Sequence, residues 1–134
     1  MPLVRIDLRA GKSANSIKAI GDAVHAAMVE CLHVPQRDRF QIISEHDPAH
    51  YLYDPGYLDV ERTDDLVTVQ IFLSTGRTTE QKQAFYARLA ALLTENPGLR
   101  PQDVTVVLVP NTREDWSFGN GEAQYVVLPR ERWQ

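Results

Sequence analysis

Pro2 is the residue whose chemistry stands out. An initiator methionine is commonly removed ahead of a small residue, and loss of Met1 would leave a secondary amine at the start of a segment that reads as a strand. An α-amino group titrates at about 8 in water; desolvation or a nearby cation lowers that value and a carboxylate raises it. An ordered N-terminal amine is therefore tuned by its surroundings into either a general base or a general acid at neutral pH. Taken alone, Met1-Pro2 reads equally as a processed terminus with no further role.

The other chemical candidates are weaker. No G-x-G-x-x-G, phosphate-binding Walker loop, G-x-S-x-G or C-x-x-C string occurs. His46 and His50 stand four apart, but Pro48 lies between them and no third ligand follows at a useful spacing, so they are expected in a loop and no metal site is expected. Asp38 and Asp103 read as turn residues between a helix and a strand. Arg77 reads as a charge at a helix entrance, where the dipole disfavours a cation by roughly a few tenths of a kcal/mol; that misfit favours a functional role. No cofactor is expected.

The elements that must position these residues recur along the chain. At an offset of 65 residues Val4, Ile6 and Leu8 fall on Val69, Ile71 and Leu73, Gly11 on Gly76, Ser13 on Thr78, Ile20 on Phe85, Val24 on Leu89 and Asp38 on Asp103. Each copy, over about 2–45 and 67–110, reads strand, helix, strand. The period-two alternation of Val4, Ile6 and Leu8 with Arg5, Asp7 and Arg9 marks a strand with one buried face. Ser13 and Thr78 are the expected N-caps, the second in a capping box with Gln81. Ile17, Ile20, Val24, Met28 and Cys31 form the core stripe of the first helix, and Phe85, Leu89 and Leu92 that of the second; Cys31 and Met28 are read as packing. Second strands are expected over 40–45 and 104–110, parallel to the first strand of their own copy. Residues 46–65 read as an irregular loop, and the tail after Asn111 as a glycine-turned hairpin or arm.

The fold class is thus α/β: a doubled β-α-β unit in one domain spanning 1–134, with a four-stranded sheet, two helices on one face and the copies joined antiparallel. A neighbouring subunit is the expected cover for the other sheet face. A chain of 134 residues with 43% hydrophobic and 24% charged residues is ordinary for one globular domain, which excludes a disordered tail, a coiled coil and a collagen-like chain. Its net charge of −4 gives no general attraction to nucleic acid or an anionic membrane. With one cysteine, no long apolar run and a charged N-terminus, a cytoplasmic location is expected.

Read together, the Pro2 start, the duplication and certain strings resemble the tautomerase superfamily, and within it the malonate semialdehyde decarboxylases. The strings are Met1-Pro2-Leu3, the run from Val34 through Pro35-Gln36-Arg37-Asp38-Arg39-Phe40 to Ile42, Glu80-Gln81-Lys82 with Phe85-Tyr86, and Asp115-Trp116-Ser117-Phe118-Gly119. The resemblance implies a homotrimer and a site in which the Pro2 amine, the Asp38 carboxylate and Arg77 converge, walled by Trp116, Phe118 and Tyr125. It implies cofactor-independent proton transfer on a small anionic oxo acid: enol–keto tautomerisation, decarboxylation or water addition. A planar guanidinium would grip a substrate carboxylate in fork geometry. The chain departs from the decarboxylase pattern, which has two arginines two residues apart. In Ser74-Thr75-Gly76-Arg77 the first is replaced by Thr75, with Arg39 or a neighbouring subunit as the alternative source of a second cation.

Overall fold

The alternation of apolar and polar residues produces β1 (Pro2–Arg9), in which Pro2, Val4, Ile6 and Leu8 are buried and the intervening side chains are not. β3 (Val67–Ser74) repeats it with Val67, Val69, Ile71 and Leu73. α1 (Ala14–Leu32) and β2 (Gln41–His46) follow the first strand, and α2 (Thr79–Glu95) and β4 (Val104–Asn111) the third. This computed structural model describes residues 2–133, so the removal of Met1 concerns a residue outside the described ones.

β3 starts 65 residues after β1, and α2 starts 65 after α1. The joints match as well. The Ser13 hydroxyl accepts from the Ser16 amide, and Thr78 and Gln81 cap each other reciprocally. Gly11 and Gly76, between strand and helix in each unit, have φ of +123° and +117° with open space around the missing Cβ. Backbone conformation, not crowding, requires glycine there.

The sheet order is β2-β1-β3-β4, with β1 and β3 antiparallel at the centre and each outer strand parallel to its inner neighbour. α1 and α2 pack together over one face and cover a continuous core of Ile20, Val24, Met28, Phe85 and Leu89 against the buried residues of β1 and β3. In α2 the innermost stripe is Phe85, Leu89 and Leu93; Leu92 only borders the core, because strict i+4 spacing carries the buried line to residue 93. Cys31 also borders the core. No helix among the described residues is long and apolar enough to cross a membrane.

Of the two readings of the tail, hairpin or arm, the structure takes the second: after Asn111 no strand forms among the described residues. Gly119 and Gly121, at φ +117° and +67°, turn the chain into a single helical turn, Gln124–Val127. The Gln124 side chain accepts from the Phe118 amide (2.7 Å) and donates to the Gly119 carbonyl (2.7 Å), occupying backbone groups that a hairpin ladder would need. The tail is therefore an arm. Residues 46–65 contain two short turns, Pro48–His50 and Tyr57–Asp59. His46, at the end of β2, bonds Asp7 through Nε2 (2.6 Å), while His50 sits in the first turn.

Asp103, only 1% exposed, fastens the far end of that loop to the start of β4 by accepting from the Thr63 amide (2.6 Å) and hydroxyl (2.7 Å). Asp103→Ala leaves both donors without their buried partner and should cost about 1–3 kcal/mol, read as a lower urea midpoint at unchanged slope. An unchanged midpoint would show that the loop is held by other contacts.

Candidate active site

Strand register brings four chain segments to one end of the sheet. In the antiparallel ladder Pro2 lies opposite Leu73, so β1 begins where β3 ends and the chain goes on through Ser74 to Arg77. In the parallel ladder Val4 lies opposite Gln41, and its amide donates to the Phe40 carbonyl (2.9 Å). Two residues further back, Asp38 comes level with the start of β1. β4 runs parallel to β3 with Asn111 opposite Ser74, and the turn after it emerges at the same end.

Asp38 closes a tight turn in which its amide donates to the Pro35 carbonyl (3.0 Å). Beneath the turn lies His25, 5% exposed, whose Nε2 is 2.8 Å from the Gln36 carbonyl. A carbonyl only accepts, so the proton resides on Nε2. A buried helix side chain thus holds the turn that carries the carboxylate. Burial raises the Asp38 pKa above the ordinary carboxylate range, with the positive charge of Arg77 among the opposing influences.

Arg77 is half-buried and points its donors inward. Nη1 donates to the Ser74 carbonyl (2.8 Å), and Nε and Nη2 to the Leu32 carbonyl (3.3 and 3.2 Å). Leu32 is the last residue of α1, so the cation rests on the negative end of that helix, which offsets its misfit at the entrance to α2. Of the five N–H groups of a guanidinium, two remain beyond these three bonds. Burial lowers the Arg77 pKa, with Tyr125 and Asp38 opposing that shift.

Asp38, Arg77 and Tyr125 line one cleft of about 740 Å³, together with His33, Arg113 and Trp133. The aromatic wall is divided. Trp116 and Phe118 line a second cleft on the helix-free face with Leu3, Phe40 and Phe72, and Trp116 donates to the Asn111 side chain (2.8 Å). Phe118 joins the two groups: it stacks on Trp116 at 5.5 Å and meets Tyr125 edge-on at 5.2 Å. Tyr125 in turn meets Trp133 at 4.9 Å. Burial, reinforced by the Asp38 charge, pushes the Tyr125 hydroxyl up to about 12, so at neutral pH it remains a donor.

Arg113, Trp133 and His33 were not singled out in the sequence. Arg113 carries the one available signal, since it stands just before the Asp115-Trp116 string. Arg39 is elsewhere: it bonds Asp22 (2.8 Å) and the Gln41 side chain (3.1 Å). It is not among the residues that line the cleft of Arg77. Among the described residues no group of three His, Cys, Asp or Glu is placed to hold a metal ion.

Two family profiles, each described as tautomerase enzyme, match residues 38–119 and 2–60. A probable tautomerase of Bacillus subtilis (strain 168), YusQ, is 43% identical over 94% of this chain and 99% of its own. A malonate semialdehyde decarboxylase, whose structures were determined as wild type, as a proline-to-alanine mutant and inactivated, superposes with a TM-score of 0.87. It is 37% identical over 92% of this chain and 95% of its own. A second malonate semialdehyde decarboxylase, inhibited by 3-bromopropiolate, has the same TM-score and is 42% identical over 92% and 94%.

The raised Asp38 pKa has a consequence for stability. Between the ordinary carboxylate range and the raised value the folded chain binds more protons than the unfolded one, so this group makes stability fall as pH rises through that window. Asp38→Asn cannot ionise and escapes the loss. Its melting temperature should exceed that of the wild type at pH 7 and approach it at pH 3. A constant difference between those pH values would mean that burial of the charge is not what the substitution relieves.

Proposed function

The chain belongs to the tautomerase family, and on that premise we propose that it is a cofactor-independent enzyme using the amine of Pro2 to move protons on small oxo acids. The observation that carries this reading is the meeting of Asp38, Arg77 and Tyr125 in one cleft, at the end of the sheet where β1 begins. In this reading Arg77 anchors the substrate carboxylate through N–H groups left over from its backbone bonds, and the rings of Tyr125 and Trp133, backed by Phe118, limit water on that side of the cleft. Tyr125, held protonated, donates to the carbonyl oxygen as charge develops there. The Pro2 amine then takes a proton from, or delivers one to, the carbon beside that carbonyl, and Asp38 hydrogen-bonds the amine or orients a water or substrate oxygen.

Enol–keto tautomerisation is the leading activity, with decarboxylation of malonate semialdehyde present but weaker. Decarboxylation leaves electron density on the carbon that loses CO₂, and two adjacent guanidiniums would divide the tasks of stabilising the aldehyde oxygen and turning the departing carboxylate. Thr75 cannot supply the first of them. Efficient decarboxylation is the second reading, favoured by the 37% and 42% identity to malonate semialdehyde decarboxylases over nearly the whole chain. A non-catalytic role on the same scaffold is the third. Phe40, Ile42 and Val107 are exposed on the sheet face that the helices leave open, which supports a homotrimer in which copies cover one another's sheets. A particle of monomer size in sedimentation at micromolar concentration would contradict it.

Pro2→Ala retains an amine while changing its basicity and geometry. Turnover of phenylenolpyruvate should fall by roughly 10²–10⁴-fold with an unchanged melting temperature, in protein whose intact mass shows Met1 removed. Unaltered turnover would take Pro2 out of the mechanism, and a retained Met1 would take away the amine.

Restoring the paired cations by Thr75→Arg should raise the ratio of malonate semialdehyde decarboxylation to phenylenolpyruvate ketonisation. A wild type that decarboxylates efficiently and ignores enol acids would instead select the second reading. Arg77→Ala should raise KM for an anionic substrate more than for an uncharged analogue, measured alongside a denaturation curve because the side chain also bonds Leu32 and Ser74. Equal losses for both substrates would make Arg77 structural.

A further inference from the structure

His25 is 5% exposed and does not line the cleft, so it has no direct part in the proton transfer described above. It shares a stripe of α1 with Gly21 and Met28, at spacings of four and three, and all three bond the segment that leads from the helix into β2. The Val34 amide donates to the Met28 carbonyl (3.3 Å), and the Gln41 side chain donates to the Gly21 carbonyl (2.8 Å). Those two bonds hold the ends of the segment. Between them His25 Nε2 donates to the Gln36 carbonyl (2.8 Å), inside the turn that the Asp38 amide closes on Pro35. Arg39 adds an ion pair with Asp22 (2.8 Å), but those side chains are 41% and 42% exposed, where such a pair contributes little.

The second copy shows the same turn held differently. The Asp38 amide donates to the Pro35 carbonyl (3.0 Å), and 65 residues on the Asp103 amide donates to the Arg100 carbonyl (3.0 Å). Asp103 then fastens itself, its carboxylate accepting from the Thr63 amide and hydroxyl. The position matching His25 is Ala90, which has no side-chain donor. In the second copy the carboxylate is spent on the fold. In the first, an imidazole from the helix does the fastening, and the carboxylate lines the cleft with Arg77 and Tyr125.

We propose that His25 is a positioning residue for the reaction: its bond to the Gln36 carbonyl fixes where the Asp38 carboxylate meets the substrate, so turnover depends on a hydrogen bond made outside the cleft. The assignment rests on the reading above only in giving Asp38 a part in turnover. Without an N–H donor at residue 25 the part-buried Gln36 carbonyl loses its partner. The turn then gains freedom at the residue that needs fixed geometry, and a misplacement of about 1 Å costs on the order of 10²-fold in rate.

Gln and Leu are both uncharged and differ in donor ability, so comparing His25→Gln with His25→Leu isolates the bond. His25→Leu should lower kcat for phenylenolpyruvate by roughly 10–100-fold, with KM near that of the wild type, and should speed hydrogen exchange at the Asp38 amide. His25→Gln should recover most of both. If His25→Leu does not fold, His25→Asn, whose side chain is too short to make the bond, takes its place. Asp103→Ala loosens the matching turn at the other end of the sheet and should leave kcat unchanged well below its melting temperature, which separates positioning from general loss of stability. In an Asp38→Asn background His25→Leu should have little further effect on kcat, because its influence passes through that carboxylate. A kcat that ignores His25→Leu, an equal loss in His25→Gln, a full additional loss in the Asp38→Asn background, or an Asp38→Asn enzyme with the kcat of the wild type would each overturn the assignment. Pro2→Ala is the control for the underlying reaction. If it leaves turnover intact while kcat still depends on His25 through Asp38, the proton-transfer reading has failed and the positioning role stands. If turnover requires Pro2 but ignores His25, the reverse holds.

Discussion

The antiparallel ladder between β1 and β3, from Pro2 opposite Leu73 to Leu8 opposite Val67, joins two β-α-β units into one sheet and in doing so determines what can meet at its edge. Because the two units run in opposite directions about that seam, the start of the first strand abuts the exit of the third. The residue that begins the chain's first strand and the loop that delivers Arg77 are therefore neighbours despite their separation in sequence. Parallel pairing on either side brings in the rest. β2 contributes the turn before it, with Asp38, and β4 contributes the turn after it, with Arg113.

At that edge the charges are balanced by backbone more than by one another. Arg77 is steadied by the Leu32 and Ser74 carbonyls, one at the end of a helix and one at the end of a strand. Such contacts hold a guanidinium in place without neutralising it, as a carboxylate partner would. The same burial that lowers the Arg77 pKa raises those of Asp38 and Tyr125, so in all three groups burial works against the charged form. An anion entering it gains attraction in a setting less screened than water. In a protein whose overall charge is −4, the placing of two guanidiniums in one cleft, beside Asp38 and Glu114, is a local arrangement and not a consequence of composition.

The supporting shell is apolar and aromatic. Phe118 touches both Trp116 and Tyr125, and Tyr125 touches Trp133, so the tail forms a run of rings from the helix-free face to the cleft. The Gln124 side chain bonds to the Phe118 amide and the Gly119 carbonyl, closing the bend that lets a segment without strands serve as a wall. His25 does the equivalent task for the Asp38 turn from beneath.

Much of this architecture is legible in the sequence because it depends on local order. The alternation of Val4, Ile6 and Leu8, the hydroxyl caps at Ser13 and Thr78, the glycines at 11 and 76 and the 65-residue offset all express backbone periodicity and capping, which neighbouring residues decide among themselves. The resemblance to tautomerases at Pro2, Asp38 and the Asp115-Trp116 string likewise depends only on the order of letters. Which cation enters the cleft is a different kind of question. Arg39, near Asp38 in sequence, is drawn to Asp22 on α1, while Arg113, remote from Arg77 in sequence, arrives beside it through strand register. The glycine-rich tail had two readings, and side-chain bonds from Gln124 settled it as an arm. Local periodicity specifies strands and helices, but the partner of a charged side chain is chosen by long-range approach and by competition among donors and acceptors, and those exist only once the chain has folded.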